Sequence, residues 1–367
     1  MRNEKQHIKV IISGGGTGGH IFPALAIADE IKKRKPQAEI LFIGAKDRME
    51  MEKVPAHGYP IKGLWISGIN RQHKWRNWQF PLQILSSLIK AKKIVKNFKP
   101  DVVIGTGGFA SGPILYAAQQ KNIPTFIQEQ NSYPGITNKI LSKKAQKIFT
   151  AYDHLEHFFA SDKIIKTGNP VREDLHKPLN DAKKSRQFFG LKPDKKTILV
   201  LGGSLGARPI NEAIKEKLPS LLANGYQLIW QTGPKDFDRY KDLGNEQVKV
   251  VPFIKNMHEA YAAADMIISR AGAGTISELA MVGKPVVLVP SPYVAEDHQT
   301  KNAQALVENK AAILVPEKKL KEKLCPAVKE IFGQPRKANE LSQNLKKMAQ
   351  PKATQKIVDE IFKTINL

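Results

Sequence analysis

A short β-branched run that ends in a glycine-rich turn occurs twice in the chain, and this repeat constrains the fold more than any other feature. The first run, residues 8–13, leads into a turn at 14–20; the second, 197–201, leads into a turn at 202–208. After each turn an apolar pattern of helical spacing resumes. Strand, tight turn and helix in this order begin a parallel α/β unit, so the sequence predicts two doubly wound, Rossmann-like domains.

Apolar runs and helical stretches alternate through the rest of the chain. The segment 167–172 is followed by a polar, lysine-rich stretch that runs to Lys196 and is the best candidate for a linker between the halves. Ligands of doubly wound domains bind at the carboxyl ends of the strands, so we expect the two domains to face a shared cleft. The predicted strands lie near residues 8–13, 39–44, 60–65, 101–105, 124–128, 146–150 and 163–166, then 197–201, 226–231, 247–252, 265–269, 285–289 and 311–315.

The charge of the chain predicts an anionic partner. It carries 58 Lys and Arg against 34 Asp and Glu, a net charge of +24. Nucleic acid, anionic lipid and a phosphorylated substrate all fit this surplus. No stretch approaches the roughly 18 apolar residues of a spanning helix. The single Cys325 cannot form an internal disulfide, which suits a reducing cytoplasm.

The first glycine turn is predicted to bind a phosphate or a diphosphate. Its glycines let a ligand approach the backbone, and the N–H groups of the following helix favour an anion. The spacing Gly14, Gly16, Gly19 matches the dinucleotide fingerprint, but the second predicted strand, 39–44, is followed by Ala45 and Lys46 rather than by an acid. His20 stands where a P-loop would need lysine. A tight turn without a ligand remains an alternative.

Polar segments follow several further strands. The turn at 105–113 would lie beside the first one, and two adjacent backbone nests suit a diphosphate, so Gly15, Gly16, Gly107, Gly108 and Ser111 are the predicted diphosphate residues. Asn131 lies in a polar cluster after strand five, where a simple turn and helix cap is the alternative.

In the second half, the small residues after strand 265–269 predict another anion site. Glu278, early in the following helix, is placed to accept from sugar hydroxyls. Gln299 and Asn302 are three apart and would share a helix face. Asp236 and Asp238 form an Asp-x-Asp pattern used elsewhere for metal binding, but their charged surroundings indicate a surface helix, and no metal site is predicted.

A basic and aromatic stretch lies between strands three and four. Residues 71–96 contain seven Lys or Arg and no acid. This composition predicts an interfacial element that contacts an anionic membrane surface, although part of its apolar stripe must pack on the sheet. Stacking on single-stranded nucleic acid is an alternative, but no RNA-module signature accompanies it, so no nucleic-acid partner is predicted. The predicted membrane residues are Lys74, Trp75, Arg76, Trp78, Phe80, Leu82 and Leu85.

Together these motifs closely resemble the undecaprenyl-diphospho-muramoylpentapeptide β-N-acetylglucosaminyltransferases of peptidoglycan synthesis. The resemblance implies a GT-B fold, UDP-N-acetylglucosamine as donor, lipid I as acceptor and lipid II as product. It also implies transfer without a metal, at the cytoplasmic face of the bacterial inner membrane, and leaves other cell-wall and division enzymes open as partners. The matching segments are 14–24, 105–113, 129–131, 168–172, 202–208, 270–278 and 297–303.

The resemblance also implies roles for particular residues. A C-terminal helix would return to the first domain, giving domains of 1–171 with 346–367 and of 172–345. His20 would be the general base, with a cap or a substrate hydrogen-bonding role as the alternative. Donor contacts carried over by position are Thr17, Gly18, Gly19, Asn131, Arg172, Ser204, Ile254, Ala273, Gly274, Thr275, Ile276, Ser277, Glu278 and Gln299.

Two other functions remain open at this point. A UDP-N-acetylglucosamine 2-epimerase of the same architecture would use no lipid and would have no need of the basic, tryptophan-containing stretch. A basic nucleic-acid-binding protein would explain the net charge of +24.

Overall fold

The computed structural model describes residues 7–68, 78–294 and 297–367. The chain divides into two compact units. Unit 1 is the chain up to Val171 together with Lys352–Leu367, and unit 2 is Arg172–Pro351. The return to unit 1 thus begins at Lys352 and not at residue 346, because a helix that runs to Lys347 buries Leu341 and Leu345 in the cores of unit 2.

Unit 1 is built on a seven-stranded sheet of order β3-β2-β1-β4-β5-β6-β7, and its paired strands are all parallel. Its strands are β1 Lys9–Gly14, β2 Glu39–Ala45, β3 Ile61–Leu64, β4 Val102–Gly107, β5 Thr125–Glu129, β6 Lys147–Thr150 and β7 Ile164–Lys166. Its helices are α1 Gly18–Arg34, α2 Glu50–Ala56, α3 Phe80–Phe98, α4 Ser111–Gln119, α5 Ile136–Leu141 and, from the end of the chain, α13 Ala353–Thr364.

Successive residues of β1 face opposite sides of this sheet. Val10 and Ile12 pack with α1 and α13, whereas Ile11 belongs to the core on the side of α3 and α4. A strand that is buried on both faces is apolar at every position, which is why these strands are continuous hydrophobic runs in the sequence.

Unit 2 repeats the plan with a six-stranded parallel sheet of order β10-β9-β8-β11-β12-β13. Its strands are β8 Thr197–Leu201, β9 Gln227–Gln231, β10 Val248–Val251, β11 Met266–Ser269, β12 Val286–Leu288 and β13 Ile313–Leu314. Its helices are α6 Ala182–Phe188, α7 Arg208–Ala223, α8 Met257–Ala263, α9 Ala273–Val282, α10 His298–Glu308, α11 Leu320–Gly333 and α12 Pro335–Lys347.

The predicted strands and the doubly wound class are confirmed in both units. The charged segment around Asp236 differs from expectation, since it forms two short 3-10 turns rather than an α-helix. Within the described ranges, no helix combines the length and the apolar character needed to cross a membrane.

Candidate active site

The two glycine turns of unit 1 touch each other through their backbones. They follow β1 and β4, the neighbouring strands at which the strand order reverses, where ligands of such sheets bind. The Gly15 N–H donates to the Gly107 carbonyl at 3.3 Å. Gly108 has φ +87°, and a Cβ there would lie 2.3 Å from the Gly15 oxygen. Only glycine fits at that contact.

His20 lies in the first turn of α1 and is held from two sides. Its Nδ1 is 3.0 Å from the Gly15 carbonyl oxygen and 3.3 Å from the Thr17 hydroxyl, and its own carbonyl accepts from the Thr106 hydroxyl at 2.7 Å. Because a carbonyl oxygen only accepts, the neutral imidazole carries its proton on Nδ1. Nε2 then holds the lone pair that a general base needs.

The predicted diphosphate residues are brought together, but several of their polar groups are used inside the protein. The Gly16 N–H donates to the Glu50 carboxylate at 3.0 Å, and the buried Ser111 hydroxyl lies 2.9 Å from the Ser13 carbonyl and 2.8 Å from that of Gly107. A diphosphate at this turn would therefore rely on Gly18 and Gly19, whose N–H groups in the first turn of α1 lack intrahelical acceptors. Its binding stays a prediction.

Glu50 was missed by sequence reasoning. It is fully buried on α2, whereas Glu52, two residues on, has a side chain that is 81% exposed. The short segment around them has no periodicity that distinguishes the two acids. The role of Glu50 becomes visible only in the structure, where its carboxylate accepts the Gly16 N–H of the glycine turn.

Asn131 is positioned by a buried carboxylate at the end of β5. Glu129 accepts from the Asn131 backbone N–H at 3.0 Å and from its side-chain amide at 3.2 Å, and also from Gly135 and Asn138. Burial raises the pKa of Glu129, although these donors oppose the rise. The loop that carries Asn131 is therefore fixed before any ligand binds.

In unit 2, Gln231 links the glycine turn after β8 to the predicted base-contact position. Its Nε2 donates to the Gly203 carbonyl at 3.0 Å, and its Oε1 accepts the Ile254 N–H at 2.9 Å. A nucleobase at Ile254 would use the carbonyl of that residue or displace Gln231. Ser204 lies exposed in the same turn.

Helix α9 starts with Ala273 directly after an extended Gly272. Its first turn includes Gly274 and Thr275. This turn follows the carboxyl end of β11, and its N–H groups have no acceptor within the helix, so they suit an anion. The Ser277 hydroxyl donates to the Ala273 carbonyl at 3.0 Å. Ile276 has its side chain in the core, so a donor could contact that position only through the backbone.

Glu278 lies one turn further along α9. The Tyr261 hydroxyl donates to its Oε2 at 2.9 Å. Burial raises the pKa of Glu278, and the charge of Arg172 opposes the rise. Arg172 itself pairs with Asp174, with Nε 3.2 Å from Oδ1.

The amide pair of α10 supports two loops of unit 2. Gln299 Oε1 accepts the Ser291 N–H at 2.9 Å, and Asn302, fully buried, approaches the Ala271 carbonyl at 3.4 Å. Asp236 pairs with Arg208 at 2.8 Å, and no cluster of metal-binding side chains occurs among the residues that the structure describes.

The exposed face of α3 is strongly apolar. Leu82 and Leu85 are 55% and 57% exposed, Trp78, two residues before the helix, is 68% exposed, and Phe80 is half-buried. Lys62, Lys90 and Lys93 line the same groove. The opposite face packs on the sheet through Ser87, Ala91, Ile94 and Val95. Lys74, Trp75 and Arg76 lie outside the described residues.

Two parallel sheets with glycine turns at their carboxyl edges are typical of the GT-B fold, and comparison with known proteins places the chain among the GT-B glycosyltransferases. Residues 10–150 match the N-terminal domain of glycosyltransferase family 28, and residues 197–357 match its C-terminal domain. A crystal structure of Acinetobacter baumannii MurG superposes with a TM-score of 0.73 at 30% identity, covering 97% of this chain and 99% of that one.

Curated relatives identify the family more closely. The UDP-N-acetylglucosamine–N-acetylmuramyl-(pentapeptide) pyrophosphoryl-undecaprenol N-acetylglucosamine transferase of Christiangramia forsetii is 56% identical over 99% of both chains. That of Flavobacterium psychrophilum is 55% identical over 98% of both. The chain belongs to this family of N-acetylglucosamine transferases, which confirms the expected family, enzyme class and GT-B fold.

The resemblance implied transfer without a metal, and a 2-epimerase was an alternative to the transferase function. GT-B transferases of this family work without a metal, as expected. The likeness to a UDP-N-acetylglucosamine 2-epimerase, at 16% identity and a TM-score of 0.64, is one of fold alone.

Proposed function

We propose that this chain transfers N-acetylglucosamine from UDP-N-acetylglucosamine to the 4-hydroxyl of the muramoyl sugar of lipid I, giving lipid II for peptidoglycan synthesis. Its relatives are named for this reaction. The observation that carries the mechanism is the bond between His20 Nδ1 and the Gly15 carbonyl at 3.0 Å, because it leaves Nε2 able to accept a proton.

The reaction is an inverting displacement. Nε2 of His20 removes the proton from the 4-hydroxyl as its oxygen attacks the anomeric carbon, and the bond from that carbon to the UDP oxygen breaks. The acceptor diphosphate lies against the start of α1, where Gly18 and Gly19 offer N–H donors. Asn131, held by Glu129, and Thr17 contribute donor contacts.

The departing UDP is stabilised by fixed dipoles. The first turn of α9, with Gly274 and Thr275, and the Ser204 turn direct backbone N–H groups at the diphosphate, and Arg172 adds a positive charge. Glu278 and Gln299 accept and donate hydrogen bonds to the hydroxyls of the donor.

The acceptor is a lipid, and α3 is the proposed membrane contact. Its exposed leucines and Trp78 enter the interface of the bilayer while Lys62, Lys90 and Lys93 meet anionic head groups. The enzyme then acts as a peripheral protein on the cytoplasmic face of the inner membrane, where other cell-wall and division enzymes are available as partners.

The test is transfer of labelled sugar from UDP-N-acetylglucosamine to a lipid I analogue in the presence of EDTA. Wild type is expected to form the lipid-linked disaccharide, whereas incubation with the sugar nucleotide alone releases product only from an epimerase. His20→Ala should lower kcat on the order of a hundredfold to ten-thousandfold, the usual contribution of a general base.

The control is His57→Ala, an exposed histidine of the same unit, which should keep wild-type turnover. Wild-type kcat in His20→Ala at saturating acceptor across the pH range would remove His20 from the role of base.

A further inference from the structure

The Glu50 carboxylate is buried directly beneath the first glycine turn. Its Oε1 accepts the Ala45 N–H at 2.9 Å and its Oε2 accepts the Gly16 N–H at 3.0 Å. The side chain is fully buried. Burial of a carboxylate is unfavourable unless hydrogen bonds compensate it, so these two backbone donors determine where the group lies.

A side chain at either of two neighbouring glycines would displace Glu50. A Cβ on Gly15 would lie 2.1 Å from Glu50 Oε1, and a Cβ on Gly44 would lie 2.5 Å from Glu50 Cγ. The carboxylate therefore occupies a slot between the end of β2 and the glycine turn. Gly15 makes room for a side chain of the protein itself.

One peptide group connects Glu50 to His20. The Gly15 carbonyl and the Gly16 N–H are the two ends of a single planar peptide unit. Glu50 accepts at its N–H end, and His20 Nδ1 lies 3.0 Å from the oxygen at its other end. Hydrogen bonds in such a chain polarise one another, so the negative carboxylate makes the Gly15 oxygen a stronger acceptor.

We propose that Glu50 is a positioning residue for sugar transfer, acting on His20 through the Gly15–Gly16 peptide group. It fixes that group so that the Gly15 carbonyl holds the Nδ1 proton of His20 and Nε2 remains the proton-accepting atom. The proposal rests on the proposed function, since it gives the orientation of His20 a role in catalysis.

The test compares Glu50→Gln with Glu52→Gln, the same change at the exposed position of the same helix. A glutamine at 50 has one acceptor oxygen, so it can accept from only one of the Gly16 and Ala45 N–H groups. Its NH₂ group would face the other N–H group, and two donors repel. We expect kcat to fall roughly tenfold to a hundredfold, the loss found when a partner that orients a metal-bound imidazole is removed, with the KM for UDP-N-acetylglucosamine unchanged. Glu52→Gln should behave as wild type.

The tautomer of His20 can be measured by NMR of protein labelled with ¹⁵N-histidine. The signals of the His20 ring nitrogens are assigned by their loss in His20→Gln. Wild type and Glu52→Gln should show the Nδ1–H form, and Glu50→Gln should show a mixture with the Nε2–H form. In the His20→Ala background, Glu50→Gln should cause no further loss of kcat, because the two residues act as one unit.

Three results would overturn the proposal. The first is an Nε2–H tautomer of His20 in wild type. The second is a folded Glu50→Gln with the kcat and the ¹⁵N signals of wild type. The third is a further fall in kcat, as large as in the wild-type background, when Glu50→Gln is made in His20→Ala. The first needs no substitution at Glu50, only His20→Gln for the assignment, so it decides the question even where Glu50→Gln does not fold. Failure of the wild-type enzyme to transfer sugar would instead refute the proposed function and leave the tautomer measurement intact.

Discussion

Two buried carboxylates, Glu50 and Glu129, organise the loops of unit 1 at the scale of single residues. Glu50 accepts backbone N–H groups from Gly16 and Ala45, and Glu129 accepts from the loop that carries Asn131. Each shapes a loop on which a proposed substrate contact lies. The proposed substrate contacts of this unit therefore depend on Glu50 and Glu129, which hold the loops in place without contacting a ligand themselves.

The raised pKa of Glu129 predicts a pH dependence of stability. The native protein holds this proton more tightly than the unfolded chain, whose glutamate pKa is about 4.3. The free energy of unfolding contributed by Glu129 is thus largest below that value and is lost as the pH rises through the raised native pKa. Glu129→Gln has no such proton, so the Tm advantage of wild type over it should shrink with rising pH.

Thermal melts of wild type and Glu129→Gln from about pH 4 to about pH 8 measure this effect, since the window begins near the unfolded pKa. Glu156→Gln, at an exposed position of the same unit, is the matched control and should differ from wild type by a nearly constant Tm. A Tm difference for Glu129→Gln that is equally constant would show that the pKa of Glu129 is the same in the native and the unfolded protein, and would contradict the prediction.

Helix α3 has one apolar face in the core of unit 1 and a second apolar face that is exposed. Its Ala91, Ile94 and Val95 pack in the core of unit 1, while Leu82 and Leu85 remain exposed. A substitution on the exposed face can therefore change an external contact without opening a cavity in the core.

Leu85→Glu is expected to weaken binding to vesicles containing anionic lipid by roughly tenfold, because about 1.5 kcal/mol of apolar burial is lost. Co-sedimentation with vesicles measures the affinity, and the Tm should remain that of wild type. Val307→Glu, an exposed apolar position on α10 of unit 2, is the control and should bind normally. Equal binding by Leu85→Glu and wild type would exclude this face as the membrane contact.

The elements themselves were predictable because their physical signals are local. Strands buried on both faces, such as β1 and β8, appear as apolar runs that end in glycine. The hydrogen bonds of the site were not predictable, because they join residues far apart in the chain. Gly16 meets Glu50 across 34 residues, and Ile254 meets Gln231 across 23, so no local pattern shows that these N–H groups are already engaged.

The whole molecule has a discontinuous first unit. Helix α13 packs on α1, and its Ile357, Val358 and Ile361 are fully buried in the core of unit 1. This segment comes after all of unit 2 in the chain. The stability of unit 1 therefore depends on residues separated from the rest of it by 180 positions, those of Arg172–Pro351.

Ile361→Ala should lower the free energy of unfolding of unit 1 by about 2 to 5 kcal/mol, through lost burial and the cavity that remains. Denaturant unfolding of the full chain measures the change. Ile140→Ala is the matched control in the same unit, because Ile140 is exposed and its truncation leaves no cavity. An equal effect of the two substitutions would mean that α13 contributes little to unit 1.

The position of α13 also determines the order in which the two cores are completed during translation. When Pro351 has been added, every residue of unit 2 exists, whereas unit 1 still lacks α13, which packs on α1 and contributes Ile357, Val358 and Ile361 to one of its cores. The N-terminal strands, synthesised first, therefore lack a complete core until Ala353–Thr364 has left the ribosome. A nascent chain stalled near residue 351 would leave exposed the apolar surface of α1 that α13 covers in the complete unit.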